Sequence, residues 1–463
     1  MEQTHGGADP RSVTGPSSSV WPLVAICTGY FIVILDTMVV NVALPTISRD
    51  LHATTTDLQW VVDAYSLIFA ALLLSAGALA DRRGAKGVFQ AGMVLFAVAS
   101  LGCGVAPTTG ALIAARCAQG LGAALAVPSS LALLQAAYPD QASRRRAFGI
   151  WGGVAGIAAG AGPVVGGLLV SWLGWRPVFL VNVPIGAAGL ILAARFLPSP
   201  VRKPHGVDPV GQAAGTCALG GLTVALVEAG RVGWASPMVV AGLATFVAFS
   251  AAFVAIEHWV GRPMLPLSLF SSATFSGATA VGLAINLGFY GELFVMSLYL
   301  QQVLGFSPLL AGTALAPEAA MAVVGSTVSG RVMARTGPRL PMLSGLLLGG
   351  VGLLSLVAVN ARTPYGLLVV PFMATGLGMS LVMPAATAAV MEAAPSERAG
   401  LASGTVNSAR QVGGVVGVAL LGTLVAHREG FVAGLHLDMA LAAGAFLAGA
   451  VLTWLIVGRG DAG

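Results

Sequence analysis

Charge is scarce in this sequence. Asp, Glu, Lys and Arg make up 9% of its 463 residues while 56% are hydrophobic, against about 25% charge in soluble domains. A soluble globular domain is excluded, and a polytopic helical membrane protein remains. Lysine is nearly missing, with only Lys86 and Lys203. Arginine supplies the base, and with so much Ala and Gly this composition points to a high-GC bacterial genome. The four cysteines, Cys27, Cys103, Cys117 and Cys217, sit in apolar stretches with no paired spacing, which excludes a disulfide framework and a thiolate metal site. The six histidines form no HxxxH or HExxH pair, so neither a metal nor another cofactor is expected. No P-loop is present, which removes nucleotide hydrolysis as a driving force. The net charge of +5 is scattered through short loops rather than gathered in a patch, which argues against a nucleic-acid partner.

What is there instead is a succession of long apolar runs. Residues 1–20 are polar and rich in Ser, Gly and Pro and read as a disordered tail. The apolar run that follows is too long for a signal peptide. At about 20 apolar residues per crossing, fourteen spans emerge: 21–45, 59–80, 88–106, 110–134, 147–170, 176–197, 209–229, 237–257, 272–300, 309–334, 340–360, 364–390, 402–426 and 435–457. Alternate loops differ in basic residues. One set holds Arg82, Arg83, Lys86, Arg144, Arg145, Arg146, Arg195, Arg202, Lys203, Arg262, Arg331, Arg335, Arg339 and Arg398; the other holds Arg49, Arg176, Arg231, Arg362 and Arg428. Positive charge marks the cytoplasmic side, so both termini are expected inside a cell membrane.

The chain also repeats itself. Gly77-Ala-Leu-Ala-Asp81-Arg82-Arg83-Gly84 is echoed by Gly330-Arg-Val-Met-Ala334-Arg335-Thr336-Gly337, and Gly120-Leu-Gly122 with Pro128 by Gly376-Leu-Gly378 with Pro384. Arg146-Ala147 is echoed by Arg398-Ala399, and all three offsets are near 250 residues. Six spans take only about 190 residues, so two helices have been inserted between two six-helix halves. The expected organisation is a tail to residue 20, a first bundle 21–197, a linker with two helices 198–264, a second bundle 265–457 and a tail 458–463. Parallel halves around a central site are a transporter architecture.

One span is built on glycine. In Gly149 to Gly167, the residues Gly149, Gly152, Gly153, Gly156, Gly160, Pro163 and Gly167 fall within about a third of the helix circumference at 100° per residue. A bare face lets another backbone come close, which is how apolar helices associate in lipid. Pro163 removes an internal hydrogen bond and favours a bend. Two readings stay open, a packing face and a hinge against which the molecule rocks.

Ionisable groups inside the membrane cost at least about 2.5–3.5 kcal/mol and are functional candidates by default. Here they are Asp36, Asp63, Arg116, Glu292, Glu318 and Arg410. Counted at 1.5 Å per residue, Asp36, Arg116, Glu292 and Glu318 lie roughly 9–14 Å below the outer ends of their spans, in one layer. Arg116 stays protonated and needs an anion, and Asp36 is its natural partner, with Gln119 one turn away. The reading is a proton carrier at Asp36 modulated by Arg116; a static ion pair locking two helices is the competing one. Glu292 and Glu318 suit either a proton site or a cation site. Phe372 and Thr375 stand where the second half would repeat Arg116 and Gln119, so that half is expected to lack the pairing. Asp63, about 6 Å from its span end, reads equally as an interfacial residue meeting water and as a substrate contact. Arg410 reads as a helix staple or a substrate-anion ligand. Glu228 and Glu257 fall at span ends, as solvated groups.

These residues resemble the major facilitator superfamily, specifically its fourteen-span drug:proton antiporter branch. Leu35-Asp36-Thr-Met-Val-Val-Asn41-Val-Ala-Leu-Pro45 is similar to that branch's first-helix signature, Gly77 to Lys86 to the superfamily's loop motif, and Arg116-Cys-Ala-Gln119-Gly120-Leu-Gly122 to its fourth-helix motif. Gly156 to Gly167 with Gly162-Pro163 resembles the antiporter motif of the fifth helix, and Asp63 in Trp60-Val-Val-Asp63-Ala-Tyr65 resembles exporters of the methylenomycin-resistance kind. The second loop motif departs, since Ala334 stands where Asp is usual.

The resemblance implies an all-α major facilitator fold of two six-helix bundles plus two inserted helices. It implies a proton-coupled antiporter, not an enzyme, exporting small amphipathic compounds by alternating access as a monomer in the bilayer. An uptake porter or uniporter for a metabolite is the alternative. The expected cavity is lined by Asp36, Asn41, Asp63, Tyr65, Gln119, Tyr290, Glu292 and Arg410, with Arg116 and Glu318 joining Asp36 and Glu292 in proton coupling. Gly77, Asp81, Arg82 and Gly84 are expected in a cytoplasmic turn as a conformational latch, topology-setting charge being the other reading. Gly152, Gly156, Gly160, Gly162, Pro163, Gly166 and Gly167 are the expected hinge helix.

Overall fold

The computed structural model describes residues 20–198, 208–260, 265, 267–394, 399–425 and 430–457; the expected tails and Arg202, Lys203, Arg262, Arg398 and Arg428 lie outside them. The described residues fold into helices α1 (Trp21–Leu51), α2 (Thr55–Arg83), α3 (Ala85–Gly104), α4 (Thr109–Ala137), α5 (Gln141–Leu173), α6 (Pro177–Phe196) and α7 (Pro209–Val232). They continue as α8 (Pro237–Trp259), α9 (Ala273–Val303), α10 (Pro308–Thr336), α11 (Arg339–Leu356), α12 (Gly366–Ala393), α13 (Ala399–Leu424) and α14 (Phe431–Ile456). No strand is found among these residues. Thirteen of these helices are long and apolar enough to cross a membrane. The exception is α13, whose Asn407, Ser408, Arg410 and Gln411 dilute an otherwise sufficient length.

Local chemistry sets the boundaries. Thr54 Oγ1 accepts from the Asp57 amide at 3.2 Å while Asp57 Oδ2 accepts from the Thr54 amide at 2.8 Å, a reciprocal cap that starts α2 four residues before its expected span. Each of α6 and α10 is interrupted once, at Val181 and at Leu315, and α9 ends in a single π turn, Tyr299–Val303. Gly84 and Gly337 close α2 and α10 with φ of +102° and +72°, a conformation suited to glycine. Asp81 and Arg82 are therefore in the last turn of α2, not in a loop.

The internal repeat is visible at residue level. Two residues past each capping glycine, a base clasps the last helix of its own half. Lys86 Nζ donates to the Ala194 and Leu197 carbonyls at 3.0 and 2.8 Å. Arg339 Nη2 donates to the Trp454 carbonyl at 2.6 Å and lies 5.0 Å from that indole. Gly92 meets Gly122 between α3 and α4, and Gly345 meets Gly378 between α11 and α12: a methyl group on Gly92 would come within 2.8 Å of the Gly122 carbonyl, one on Gly378 within 2.6 Å of that of Gly345.

Helices α1–α6 and α9–α14 pack as two groups that meet along α2–α13, α5–α10 and α1–α9. Their hydrogen bonds across the seam lie at the arginine-poor end. Gln59 Nε2 donates to the Ala419 carbonyl at 2.9 Å, Ser297 Oγ to that of Asn41 at 2.6 Å, and Gln301 Nε2 to that of Val42 at 3.1 Å. The Leu309 amide donates to Ser171 Oγ at 3.0 Å. The α5 glycines show the halves diverging from there. A methyl on Gly167 would stand 2.8 Å from the Pro308 carbonyl, one on Gly160 3.7 Å from that of Ala319, one on Gly156 3.9 Å from Val323, and on Gly152 or Gly153 nothing lies within 4 Å. The halves are sealed at the arginine-poor end and parted toward the other.

The inserted hairpin α7–α8 covers the α2–α13 flank of this wedge, packing on both helices. Gln212 Nε2 donates to the Ala71 carbonyl at 2.6 Å, Ser75 Oγ bonds Gln212 Oε1, and Trp60 Nε1 donates to Glu228 Oε1 at 3.2 Å, so α2 holds α7 at both ends. To α13 it is bonded at one end, where Thr423 Oγ1 donates to the Leu226 carbonyl at 2.6 Å. The two glutamates expected in water are buried instead. Glu228 pairs with Arg231 at 2.6 Å, and Glu257 Oε2 accepts from the Leu265 amide at 2.9 Å, partners that replace the lost solvent.

Candidate functional site

In the first half, five helices converge on one carboxylate. Asp36 of α1 pairs with Arg116 Nη1 of α4. Its Oδ1 accepts from Asn182 Nδ2 at 2.8 Å and Gln119 Nε2 at 3.2 Å. Arg116 and Gln119 are three residues apart and so share a helix face; Arg116 Nη1 also donates to Gln119 Oε1 at 2.9 Å, and its Nε to the Val61 carbonyl at 2.9 Å. Ser100 Oγ lies 2.7 Å from Gln119 Nε2, and Cys103 Sγ donates to Gln119 Oε1 at 3.2 Å. The Tyr65 ring covers the guanidinium at 4.3 Å and Phe179 stands at 5.8 Å. Asp36, Arg116, Gln119, Asn182 and Ser100 are all 0–1% exposed. An ion pair out of water holds only when its other lone pairs and protons are also satisfied, and here amides, a hydroxyl and a carbonyl do that.

The second half arranges acid differently. Thr375 Oγ1 of α12 lies 3.3 Å from Glu292 Oε1 of α9, 3.3 Å from Glu318 Oε1 of α10 and 3.1 Å from the Phe372 carbonyl. A hydroxyl carries one proton and two lone pairs, so it donates to one of these oxygens, and a hydrogen bond to a second needs a proton brought by a carboxyl. Glu292 Oε2 has no partner, and no ion pair to either glutamate occurs among the described residues. Position 375, where the repeat suggested a lost function, is what joins the two acids. The repeat also aligns Tyr65 with Glu318: Gly120 packs on the Tyr65 backbone and Gly376 on that of Glu318.

The expected common layer thus divides into two separate clusters, one per half. Asp36, Tyr65, Gln119 and Glu292 do not line the open part of the wedge, being 0–1% exposed. Asn41, equally buried, uses its Nδ2 on the Thr37 carbonyl at 2.8 Å. Tyr290 is half-buried and packs on Gly414. Arg410 reaches α12 through the Met383 carbonyl and Thr387 Oγ1.

Family comparison bears on the same helices. The chain matches the Major Facilitator Superfamily over residues 26–418 and again over 280–461. It belongs to that superfamily. It is 37% identical to the methylenomycin A resistance protein of Streptomyces coelicolor over 94% of this chain and 92% of that one. It is 37% identical to the tetracenomycin C resistance and export protein of Streptomyces glaucescens over 92% and 80%, and 36% identical to the puromycin resistance protein of Streptomyces alboniger over 97% and 92%. In fold it superposes, with a TM-score of 0.65 at 18% identity over 94% of this chain and 96% of the other, on a bacterial homologue of the human lysosomal transporter Spinster in an inward-facing, unoccupied conformation.

The remaining superfamily motifs separate by contact. On α5, Gly156, Gly160 and Gly167 face α10, with the Pro163 carbonyl against Gly312, while Gly162 and Gly166 face Met38 and Val39 of α1. These five glycines pack on two faces, Gly152 meets nothing within 4 Å, and α5 stays helical through Pro163. In the loop motif, Gly77 stands near Pro128 and Arg82 is exposed; the side chain of Asp81 lies outside the described residues.

Two acids had more to say than the sequence suggested. Asp63 is wholly buried and neither carboxylate oxygen has a hydrogen-bond partner. It does not meet water at the interface, because α2 begins earlier than its expected span and the second half covers that end. Asp438 was not singled out: counting from residue 435 put it at a span end, whereas α14 starts at Phe431 and buries it with both oxygens unpaired.

Proposed function

We propose that this chain is a proton-coupled antiporter that exports small amphipathic organic compounds by alternating access in a bacterial cell membrane. Drug efflux follows from kinship with resistance and export proteins over most of both chains. The observation that carries the mechanism is the wedge, sealed by cross-half hydrogen bonds at one end and open between α5 and α10 at the other. The arginine-rich end faces the cytoplasm by the positive-inside rule, so this is the inward-facing state and both termini are inside.

Protons are carried by the buried acids, with Asp36–Arg116 and Glu292–Thr375–Glu318 each contained within one half. A proton moving inward across 100 mV supplies about 2.3 kcal/mol, enough for modest accumulation of a substrate outside. Glu292 and Glu318 are the exchanging pair in this reading, because one hydroxyl bridges them with no cation to fix their charge. Asp36 is the organiser of the first half, its charge matched by Arg116. Asp63, buried without a partner near the seam between α2 and α13, is a second proton candidate.

The deciding experiment is transport in proteoliposomes with an imposed pH difference and voltage, alongside drug and dye susceptibility in a host lacking its own pumps, with and without a protonophore. Export that stops when both gradients are collapsed is the expected result. An unchanged rate rules the coupling out, and counterflow favouring net uptake points to the uptake porter instead.

A further inference from the structure

Both acid clusters lie toward the sealed end, which leaves open what the parted half of the wedge binds. Tyr30 is the tenth residue of α1, Trp151 the eleventh of α5 and Arg410 the twelfth of α13. At 1.5 Å per residue all three sit roughly 14–17 Å from the arginine-rich ends of their helices, at one depth. Tyr30 and Trp151 stack face to face, with centroids 3.8 Å apart and planes 7° from parallel. Trp151 directly precedes Gly152 and Gly153, the positions where α5 faces open space.

Arg410 supplies the charge of this layer and has no acidic partner among the described residues. It is 7% exposed. Its Nη2 donates to the Met383 carbonyl and to Thr387 Oγ1 at 2.7 Å, and its Nη1 to Asn407 Oδ1 at 3.4 Å. Its Nε has no partner. The ion pairs of the described residues are Asp36–Arg116, Asp50–Arg176 and Glu228–Arg231, none of which involves Arg410. The ionisable groups within its electrostatic reach are two phenols, Tyr30 and Tyr290. Arg116, the other buried arginine, shows how this chain treats a guanidinium it means to neutralise: it adds a carboxylate. A staple between α12 and α13 needs only the neutral acceptors that Arg410 already has, and it leaves the positive charge uncompensated. Buried charges are normally paired.

We infer that the missing anion is the substrate's: the layer of Tyr30, Trp151 and Arg410, with Tyr290 bordering it on the side of the sealed end, binds planar organic anions, carboxylates or enolates attached to an aromatic or conjugated body. The flat body lies against the Tyr30–Trp151 stack, where offset aromatic stacking is favourable. The anionic head takes a charge-assisted hydrogen bond from the guanidinium. Tyr30 and Trp151 come from the first half and Tyr290 and Arg410 from the second, so the bound anion touches both halves. This assignment rests on the export reading and names its substrate class.

The test is calorimetric binding to the purified full-length protein in detergent, with two planar probes of similar size and opposite charge, 2-naphthoate and N-methylquinolinium. The wild-type protein should bind 2-naphthoate at least tenfold more tightly. Arg410→Gln should weaken 2-naphthoate at least tenfold and erase that preference, Arg410→Lys should retain most of it, and Trp151→Leu should weaken both probes alike. The proposal fails if the wild-type protein binds the cation equally well or better, or does not bind 2-naphthoate. It also fails if a folded Arg410→Gln, checked by its thermal unfolding, binds 2-naphthoate like wild type. The wild-type comparison requires no variant to fold. Binding here needs no gradient, so its failure leaves proton-driven export standing, whereas loss of gradient dependence in proteoliposomes would not move these affinities.

Discussion

The two halves of this molecule share a backbone plan and solve the problem of buried acid in opposite ways. In the first, Asp36 faces a guanidinium and is surrounded by the amides of Gln119 and Asn182. In the second, Glu292 and Glu318 share the hydroxyl of Thr375, and among the described residues neither forms an ion pair. The positions correspond closely: Gly84 and Gly337, Lys86 and Arg339, and Gly120 and Gly376 occupy equivalent places. Phe372 instead of the arginine and Thr375 instead of the glutamine replace an ion pair by two acids that share one hydroxyl. A network whose members are all satisfied is rigid and expensive to disturb; one short of donors can change its protonation with little rearrangement. The comparison teaches that one half sets its acid against a fixed charge and the other leaves two acids short of donors.

That contrast can be broken or sharpened, and the largest effect is expected at Arg116. Arg116→Leu leaves the buried Asp36 with only the Asn182 and Gln119 amides as donors and should cost about 3–5 kcal/mol, seen as a steep fall in folded yield and unfolding temperature in detergent. Asp36→Asn combined with Arg116→Gln should cost clearly less, and equal losses would mean the pair is not what is being disrupted. Next come Glu292→Gln and Glu318→Gln. Each should leave thermal stability within about 1 kcal/mol, since an amide replaces an acid in a pair of uncharged need, while gradient-driven export drops at least tenfold. Full export from both variants would remove the second half from proton handling.

Smaller effects are expected at the seam. Gly312→Val places branches against the Pro163 carbonyl and should disfavour the sealed arginine-poor end by about 1–3 kcal/mol, read as faster thiol labelling of a cysteine introduced there. Gly152→Val meets open space in this state and should leave that labelling unchanged; if both act alike, the wedge is wrongly described. Smallest is Gln59→Ala, which removes hydrogen bonds to the Val418 and Ala419 carbonyls. A loss of about 1 kcal/mol should raise labelling at that end several-fold, and no change would show that apolar packing alone holds the seal.

Much of this was legible in the residue string for a physical reason. Crossing helices must be long and apolar, so their places follow from hydropathy, and the repeated glycines marked close helix crossings before any coordinates. Asp36, Arg116 and Gln119 could be paired because a buried arginine demands an anion. Asn182 and Ser100 left no signal, since an amide or a hydroxyl is unremarkable in a span until its partner is known. Thr375 was read as an absence because it was compared with the glutamine it replaces; only the approach of α9 and α10 gives it two acids. Asp63 was misjudged by depth counting, which fails when a helix starts several residues early and its neighbours cover its end, and Asp438 was passed over. Arg410 offered two roles by sequence, and that no acid among the described residues pairs with it is a property of the packing alone.

The inserted hairpin gives the molecule a front and a back. Hydrogen bonds join α7 to α2 near both of its ends and to α13 at Thr423, where Leu226 and Val227 also pack on Ala419. The first helix of the hairpin thus bridges the two halves along the α2–α13 seam. On that flank a greasy curtain stands between the seam and the lipid; on the α5–α10 flank, among the described residues, no helix stands outside the gap.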